Sequence, residues 1–243
     1  MGRIVAIGGG RIDDITPLNK CAVEMTNKEK PNVLFIPTAS RDNEKYVKAI
    51  GEVFRGLGCN VRNLLLVKQS YTDEVIDEQL KWADLIYVGG GNAVYLMNVW
   101  KKYDLQQKLK SIFSANDAVI AGHGSGSLVL FFCGYSNSEY TEGKTDWQYI
   151  WMENLLDLYH VAVCPHYTGD DLFNFDKRLI EMEVPGIGLA DNTALVQIDQ
   201  HTEYVACKDD AKAYYLVYLN GELMKKEIRM KYLDENGQEK VIE

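Results

Sequence analysis

The chain has 243 residues, of which 47% are hydrophobic and 25% charged, the composition of a folded protein with a sizeable core and not of a disordered one. Its formal net charge of −9 argues against a non-specific nucleic-acid binder, because neutralising phosphates takes a clustered basic surface. No apolar run is long enough to cross a membrane and the amino terminus leads directly into a predicted strand, so we expect no membrane span, no signal peptide and a cytoplasmic protein.

The first half of the chain alternates predicted strands with predicted helices. A strand over residues 3–7 ends in Gly8-Gly9-Gly10, which lacks the spacing of a dinucleotide-binding loop and fits a close approach of two backbones. Apolar spacing over residues 43–57 predicts a helix that Gly58 ends. The other elements predicted before residue 115 are strands at 32–37, 61–67 and 84–88, helices at 72–82 and 104–114, and a helix that ends at Trp100.

Three consecutive glycines, Gly89, Gly90 and Gly91, separate a predicted strand from the helix that follows it. Bare backbone N–H groups at such a place suit an oxyanion or a phosphate. The geometry of the turn alone would also explain three glycines. Both interpretations stay open at this point.

The segment Ala118–Phe132 runs from a β-type apolar stretch through a glycine-rich corner into a second apolar stretch that we predict to be helical. This order is typical of a nucleophile elbow, in which the third residue of G-x-S-x-G is a serine on a strained turn. Here that third residue is Gly124, and Ser125 comes one place later.

A predicted strand at 161–164 carries Pro165-His166-Tyr167 at its end. A histidine at a strand end, in a chain that also has an elbow, indicates a catalytic role for His166. The other histidines lack this context and are predicted to be structural; they are His123, His160 and His201. The polar stretch 134–147 is predicted to be a surface loop.

This order of elements predicts an α/β fold with three layers, α/β/α, around a mostly parallel central sheet. The last third alternates in the β manner, with Asn220-Gly221 as a hairpin turn, and should add antiparallel strands to the sheet. No linker divides the chain, so we predict one domain over residues 1–243. Its five cysteines are scattered without a C-x-x-C pair, which disfavours disulfides and zinc.

Eight segments in order resemble the peptidase E-like serine peptidases, relatives of cyanophycinase whose fold is similar to that of class I glutamine amidotransferases. They are A-I-G-G-G at 6–10, V-L-F-I-P-T-A-S at 33–40, V-G-G-G-N at 88–92, A-G-H-G-S-G-S at 121–127, G-Y-S-N-S at 134–138, D-W-Q-Y-I at 146–150, C-P-H-Y at 164–167 and G-L-A-D-N-T-A at 188–194. Each segment alone is a weak signal, whereas the ordered set is specific. The resemblance implies a hydrolase that acts on short, often aspartyl, peptides without a metal or other cofactor.

The resemblance also implies a Ser-His-acid triad and an oxyanion hole. The histidine corresponds to His166, and the hole to Gly89, Gly90 and Gly91 with the N–H of Ser125. The nucleophile position corresponds to Gly124. The position of the acid, on the loop after the elbow, corresponds to Asn137. Two of the three triad positions therefore depart from the family pattern.

Two hypotheses follow. In the first, the chain is a serine peptidase in which Ser125 replaces the missing nucleophile and Asn137 or Glu139 orients His166. In the second, the chain is a catalytically impaired relative that binds a small peptide or an amino-acid-like metabolite in the retained pocket. A cysteine-dependent amidotransferase is disfavoured, because no cysteine occupies the elbow.

Overall fold

Two β-sheets and the helices around them make up the computed structural model, which describes residues 2–136, 138, 149–168, 174–219 and 222–241. The strands in these ranges are β1 (Arg3–Ile7), β2 (Asn32–Ile36), β3 (Asn60–Asn63), β4 (Leu85–Val88), β5 (Val119–His123), β6 (Phe131–Ser136), β7 (Ile150–Met152), β8 (Tyr159–Pro165), β9 (Gly186–Leu189), β10 (Thr193–Ile198), β11 (His201–Ala206), β12 (Ala213–Leu219), β13 (Glu222–Glu227), β14 (Lys231–Leu233) and β15 (Glu239–Lys240).

The α-helices in the same ranges are α1 (Thr16–Glu24), α2 (Glu44–Gly56), α3 (Asp73–Trp82), α4 (Ala93–Trp100), α5 (Leu105–Ala115), α6 (Ser125–Leu128) and α7 (Phe175–Met182). Short 3₁₀ turns lie at Thr38–Ser40 and Lys101–Tyr103. None of these helices is long and apolar enough to cross a membrane.

The larger sheet has nine strands in the order β15-β14-β11-β10-β1-β5-β4-β2-β3. The strands from β1 to β3 in this order are all parallel, whereas β10 and β11 extend the sheet in antiparallel fashion beside β1. The predicted α/β class, mostly parallel sheet and antiparallel additions are therefore confirmed. Because β1, β4 and β5 are parallel, their carboxyl ends lie at one edge of the sheet, where ligands of such folds bind.

Both faces of this sheet are buried. Ile4 and Ala6 of β1 contribute to one core cluster with residues of α3 and α5, whereas Val5 and Ile7 contribute to a second cluster with residues of α1 and α2. Burial on two faces explains why the central strands are continuous apolar runs instead of alternating ones. The helices on the two sides complete the three layers predicted from the sequence.

The second sheet, of six strands in the order β13-β12-β9-β8-β6-β7, was not predicted. The helix expected to continue to Phe132 ends at Leu128, and β6 begins at Phe131 and pairs in parallel with β8. This part of the prediction was wrong, because a short apolar run has no period that separates a buried helix from a buried strand. Residues 134–136, predicted to begin a surface loop, belong to β6.

The strands of the carboxyl-terminal third divide between the two sheets. Whereas β10 and β11 join the larger sheet as predicted, β12 and β13 form the antiparallel edge of the smaller one. Leu219 pairs with Glu222 across the β12 and β13 ends, and the predicted turn at Asn220-Gly221 lies outside the described residues.

Candidate active site

The turn between β5 and α6 stands at the carboxyl edge of the parallel strands. Gly124 has φ +55° and ψ −115°, a backbone conformation that residues other than glycine adopt only under strain. Its N–H donates to Ile7 O on β1 at 3.0 Å, and its carbonyl accepts from Ser127 N at 3.0 Å, where the short helix begins. The turn therefore joins the end of β5 to the start of α6 through a glycine corner with positive φ.

His166 follows β8 and its ring faces this corner. Its backbone has φ +57°, and its N–H donates to Gly8 O at 3.1 Å. Its Nδ1 lies 2.6 Å from Asp191 Oδ1, a carboxylate just beyond β9. This hydrogen bond from His166 is the main reason that the pKa of Asp191 is lowered. An ionised carboxylate at Nδ1 fixes the ring orientation and directs Nε2 toward the corner.

Gly9, in the first triglycine loop, makes room for this pair. A Cβ on Gly9 would lie 2.0 Å from Asp191 Oδ1 and 2.3 Å from His166 Nδ1. No real Cβ tolerates such distances, so only glycine lets the carboxylate and the imidazole meet here. Gly9 O also accepts a hydrogen bond from Asn192 N at 3.0 Å, and this bond holds the chain beside Asp191.

The second triglycine loop offers one free amide. Gly89 N donates to Ile36 O at 3.1 Å and Gly90 N to Tyr46 Oη at 3.1 Å. In contrast, Gly91 N has no acceptor among the described residues, and the same holds for Ser125 N across the cavity. Two amides, Gly91 N and Ser125 N, are therefore available to an oxygen atom above the corner, as oxyanion stabilisation requires.

The hydroxyl of Ser125 is already bonded. Its Oγ donates to Gly91 O at 2.5 Å, and the residue is 5% exposed. In this rotamer the hydroxyl joins the elbow to the second glycine loop and makes no hydrogen bond to His166. The structure thus brings Ser125 into the site through its N–H, with its side chain directed elsewhere.

The site has room for a nucleophilic side chain at position 124. A Cβ built on Gly124 lies 3.2 Å from His166 Nε2 and 3.8 Å from His166 Cε1, and apart from its chain neighbours no other heavy atom of the described residues lies within 4 Å. This space opens into a cavity of about 280 Å³ that Gly91, Gly124, Ser125 and His166 help to line. A cavity of this size suits an amino acid or a small peptide end and not a large ligand.

A buried hydrogen-bond chain supports the floor of the cavity. His123 Nε2 lies 3.1 Å from Gly10 O, which can only accept, so Nε2 carries the proton and Nδ1 accepts from Tyr46 Oη at 3.4 Å. Tyr46 Oη in turn accepts from Gly90 N. Burial lowers the pKa of His123 to about 4 and raises the pKa of Tyr46 to about 12. Both groups are therefore neutral near pH 7.

The neutral state of His123 predicts a pH dependence of stability. Because its pKa falls from 6.5 in an exposed state to about 4 when folded, the unfolded chain binds the proton first. The free energy of unfolding should therefore fall as the pH drops from about 6.5 to about 4. In a His123→Gln variant, which keeps a donor for Gly10 O, this fall should be smaller by about 2 kcal/mol between pH 7 and pH 5. Urea unfolding of both proteins at the two pH values measures the free energy of unfolding. An equal fall of this free energy in both proteins would contradict the prediction.

The structure brings together only some of the residues singled out in the sequence. His166, Gly91, Gly124 and Ser125 share the cavity, whereas the N–H groups of Gly89 and Gly90 are bonded to other partners. The two candidates for the acid, Asn137 and Glu139, lie outside the described residues. His160 and His201 form exposed pairs with Asp157 and Glu203.

Sequence reasoning missed Asp191 and the position of His123 at the cavity. The signal for Asp191 was present, because G-L-A-D-N places a carboxylate just after the residues that form β9. Parallel strands end at a common edge, so an acid there meets the residue that follows the neighbouring strand. β8 and β9 are such neighbours, and they present His166 and Asp191. Cys133 lies in β6, beyond the elbow helix.

A histidine held by a carboxylate beside free backbone amides is the arrangement of hydrolases that act on a carbonyl carbon. The sequence match identifies the family more closely. The model of peptidase family S51 matches residues 4–205, and the chain therefore belongs to this family.

Individual relatives agree with this assignment. The chain is 31% identical over 242 residues to an uncharacterized peptidase, YgaJ, of Bacillus subtilis strain 168, covering 96% of this chain and 100% of the relative. It is 25% identical over 173 residues to a Drosophila melanogaster protein named "Probable alpha-aspartyl dipeptidase", covering 67% of this chain and 68% of that protein. The crystal structure of a peptidase from an acI-B1 actinobacterium superposes with a TM-score of 0.70 and 22% identity, covering 95% of both chains, and so shares the fold.

Proposed function

We propose that this protein binds small peptides or peptide-like molecules in a peptidase S51 site that has lost most of its hydrolytic power. The observation that carries the proposal is Gly124, whose corner conformation faces His166 Nε2 without a side chain between them. A histidine base accelerates acyl transfer by taking a proton from a hydroxyl or thiol. At this corner there is no such group.

Ser125 does not supply the missing hydroxyl in the observed rotamer. To act, its Oγ would have to leave the 2.5 Å hydrogen bond to Gly91 O and come within about 2.6–3.2 Å of Nε2. Leaving a buried carbonyl without its donor costs about 1–3 kcal/mol. The lost bond therefore opposes the first hypothesis and favours the second.

The rest of the site remains suited to binding. Gly91 N and Ser125 N are unbonded donors among the described residues, and His166 is held by Asp191. Amide donors that stabilise an oxyanion also bind a ground-state oxygen, and a site without its nucleophile keeps roughly 10³–10⁴-fold catalysis over water. The peptide as the ligand class is supported by the family and by the name of the Drosophila relative.

A serine-directed fluorophosphonate tests the proposal. We expect no adduct on the natural protein after prolonged incubation, as measured by intact-mass and peptide mass spectrometry. A Gly124→Ser variant should be labelled on the introduced hydroxyl, because its Cβ lies 3.2 Å from His166 Nε2. This variant shows that the reagent reaches the site.

Labelling of Ser125 in the natural protein would contradict the proposal. If that adduct disappeared in Ser125→Ala and in His166→Ala, the protein would be a serine peptidase that uses the residue after the corner. Ser125 already lines the cavity beside His166, so the described geometry allows this alternative.

A further inference from the structure

We propose that the preferred ligand of this cavity ends in a free carboxylate, which occupies the space left by the missing side chain at Gly124. One carboxylate oxygen accepts from Gly91 N and Ser125 N, and the other accepts from His166 Nε2. The ligand is thus the acid that a peptidase releases, and not the amide that it cleaves. This inference rests on the proposed function, because a working nucleophile would occupy the same space.

Three hydrogen-bonding groups around the cavity are open to a ligand. Gly91 N, Ser125 N and His166 Nε2 have no partner within the described ranges. All three lie on residues that line the same cavity. The two amides need an acceptor, whereas Nε2 of the ring held by Asp191 accepts when His166 is neutral and donates when it is protonated. A carboxylate bound with one proton on Nε2 satisfies all three groups.

The nearby acceptors are already occupied. Gly91 O accepts from Ser125 Oγ, and Gly10 O accepts from His123 Nε2. Tyr46 Oη accepts from Gly90 N and donates to His123. No acidic side chain is among the described residues that line the cavity. A ligand that brings further donors would find few partners here, and the imidazole ring of His166 separates an anion at Nε2 from the carboxylate of Asp191.

The carboxylate of Asp191 favours an acid over a primary amide. An amide fits a neutral imidazole, with its own N–H directed at Nε2, whereas a carboxylate requires the imidazolium. Asp191 accepts from Nδ1 at 2.6 Å and its pKa is lowered, so it stays ionised and stabilises the imidazolium. Hydrogen bonds between two charged groups are about twice as strong as neutral ones. The buried neutral His123 adds no opposing positive charge.

Glycine at position 124 makes the space for the second oxygen. Apart from its chain neighbours, the described group that a Cβ there would meet is the imidazole of His166, at 3.2 Å, which leaves room beside Nε2 for an oxygen atom. In an active elbow the serine hydroxyl fills this volume, and a product carboxylate has to compete with it. Removing the hydroxyl therefore converts a site for a carbonyl into a site for a carboxylate.

A matched pair of small ligands tests the inference. We use N-acetylglycine and N-acetylglycinamide, which differ only in the terminal group, and follow the ¹⁵N-labelled backbone amides of Gly91 and Ser125 by NMR titration. Ligands with so few non-hydrogen atoms make few contacts, so millimolar dissociation constants are expected. The acid should bind at least 10-fold more tightly than the amide. A Gly56→Ala variant should match the natural protein, because among the described residues no atom outside its own helix backbone and chain neighbours lies within 4 Å of that Cβ.

Two further variants distinguish the effect of free space at position 124 from the effect of charge at position 166. Gly124→Ser should weaken binding of the acid at least 10-fold and change binding of the amide less, because the hydroxyl fills the space for the second oxygen. His166→Gln keeps a neutral donor and should also weaken the acid at least 10-fold. Equal affinities of acid and amide, or no shift at Gly91 and Ser125, would overturn the inference.

The failure of this inference and that of the proposed function give different results. If the amide binds as well as the acid and the fluorophosphonate does not label Ser125, the binding function stands and the carboxylate preference falls. If Ser125 is labelled, the binding function itself falls.

Discussion

Replacing Gly124 with serine is expected to raise the rate of ester hydrolysis at least about 100-fold. Removing the nucleophile of a serine hydrolase lowers kcat by about 10⁶, so restoring one beside an intact base should recover a measurable part. The rest of the arrangement is present, since a Cβ at this position lies 3.2 Å from His166 Nε2 and Asp191 holds the ring. Release of p-nitrophenol from p-nitrophenyl acetate measures the rate, and a burst of product would report an acyl intermediate.

Gly124→Ala is the matched control for this substitution, because alanine imposes the same backbone strain without a hydroxyl. With φ at +55°, a side chain costs about 1–3 kcal/mol, so both variants should melt about 2–10 °C below the natural protein. Only the serine variant should gain activity, and it should lose that gain when His166 is also changed to alanine. A serine variant no faster than the alanine variant would show that the retained groups are not aligned for catalysis.

Replacing Gly9 with alanine is expected to separate His166 from Asp191 and to lower the catalytic activity that depends on this pair. A Cβ at this position would lie 2.0 Å from Asp191 Oδ1, so the carboxylate or the ring has to move. Loss of a correctly oriented triad acid lowers kcat by about 10⁴. In the Gly124→Ser background we therefore expect Gly9→Ala to remove at least 100-fold of the recovered activity, measured with the same ester.

A spectroscopic readout separates this local effect from unfolding. The proton that joins His166 Nδ1 to Asp191 Oδ1 should give a downfield ¹H signal in the natural protein and none in Gly9→Ala. The helical Gly56→Ala variant should retain it, because its added Cβ has no neighbour within 4 Å. Persistence of the signal together with full activity in Gly9→Ala would refute the role assigned to this glycine.

The sequence predicted the layers of the fold because its strands are long apolar runs between well-marked helices. It did not predict the smaller sheet, since the run from Leu128 to Cys133 fits a helix or a strand and only pairing with β8 decides between them. Strand ends indicated His166 and the two glycine loops. The sequence could not give the rotamer of Ser125, which depends on Gly91 O, a carbonyl 34 positions away.

The acid is a comparable case. The candidates named from the sequence are two polar residues close to the elbow, which lie outside the described residues, and Asp191, which lies 25 positions beyond His166, is not among them. Distance along the chain is a poor guide here, because β8 and β9 are neighbours in the smaller sheet and bring their ends together. Reasoning from the edge of a parallel sheet would have found the pair.

The two sheets divide the site between them. His166 and Asp191 follow strands of the smaller sheet, whereas Gly9 and Gly124 follow strands of the larger one. The space between His166 Nε2 and the corner at Gly124 thus lies at the boundary between the two sheets. Hydrogen bonds from His166 N to Gly8 O and from Asn192 N to Gly9 O connect the two sides of this boundary. A mutation far from the cavity that shifts one sheet relative to the other would change the distance between His166 Nε2 and Gly124. The contacts within each sheet would stay the same.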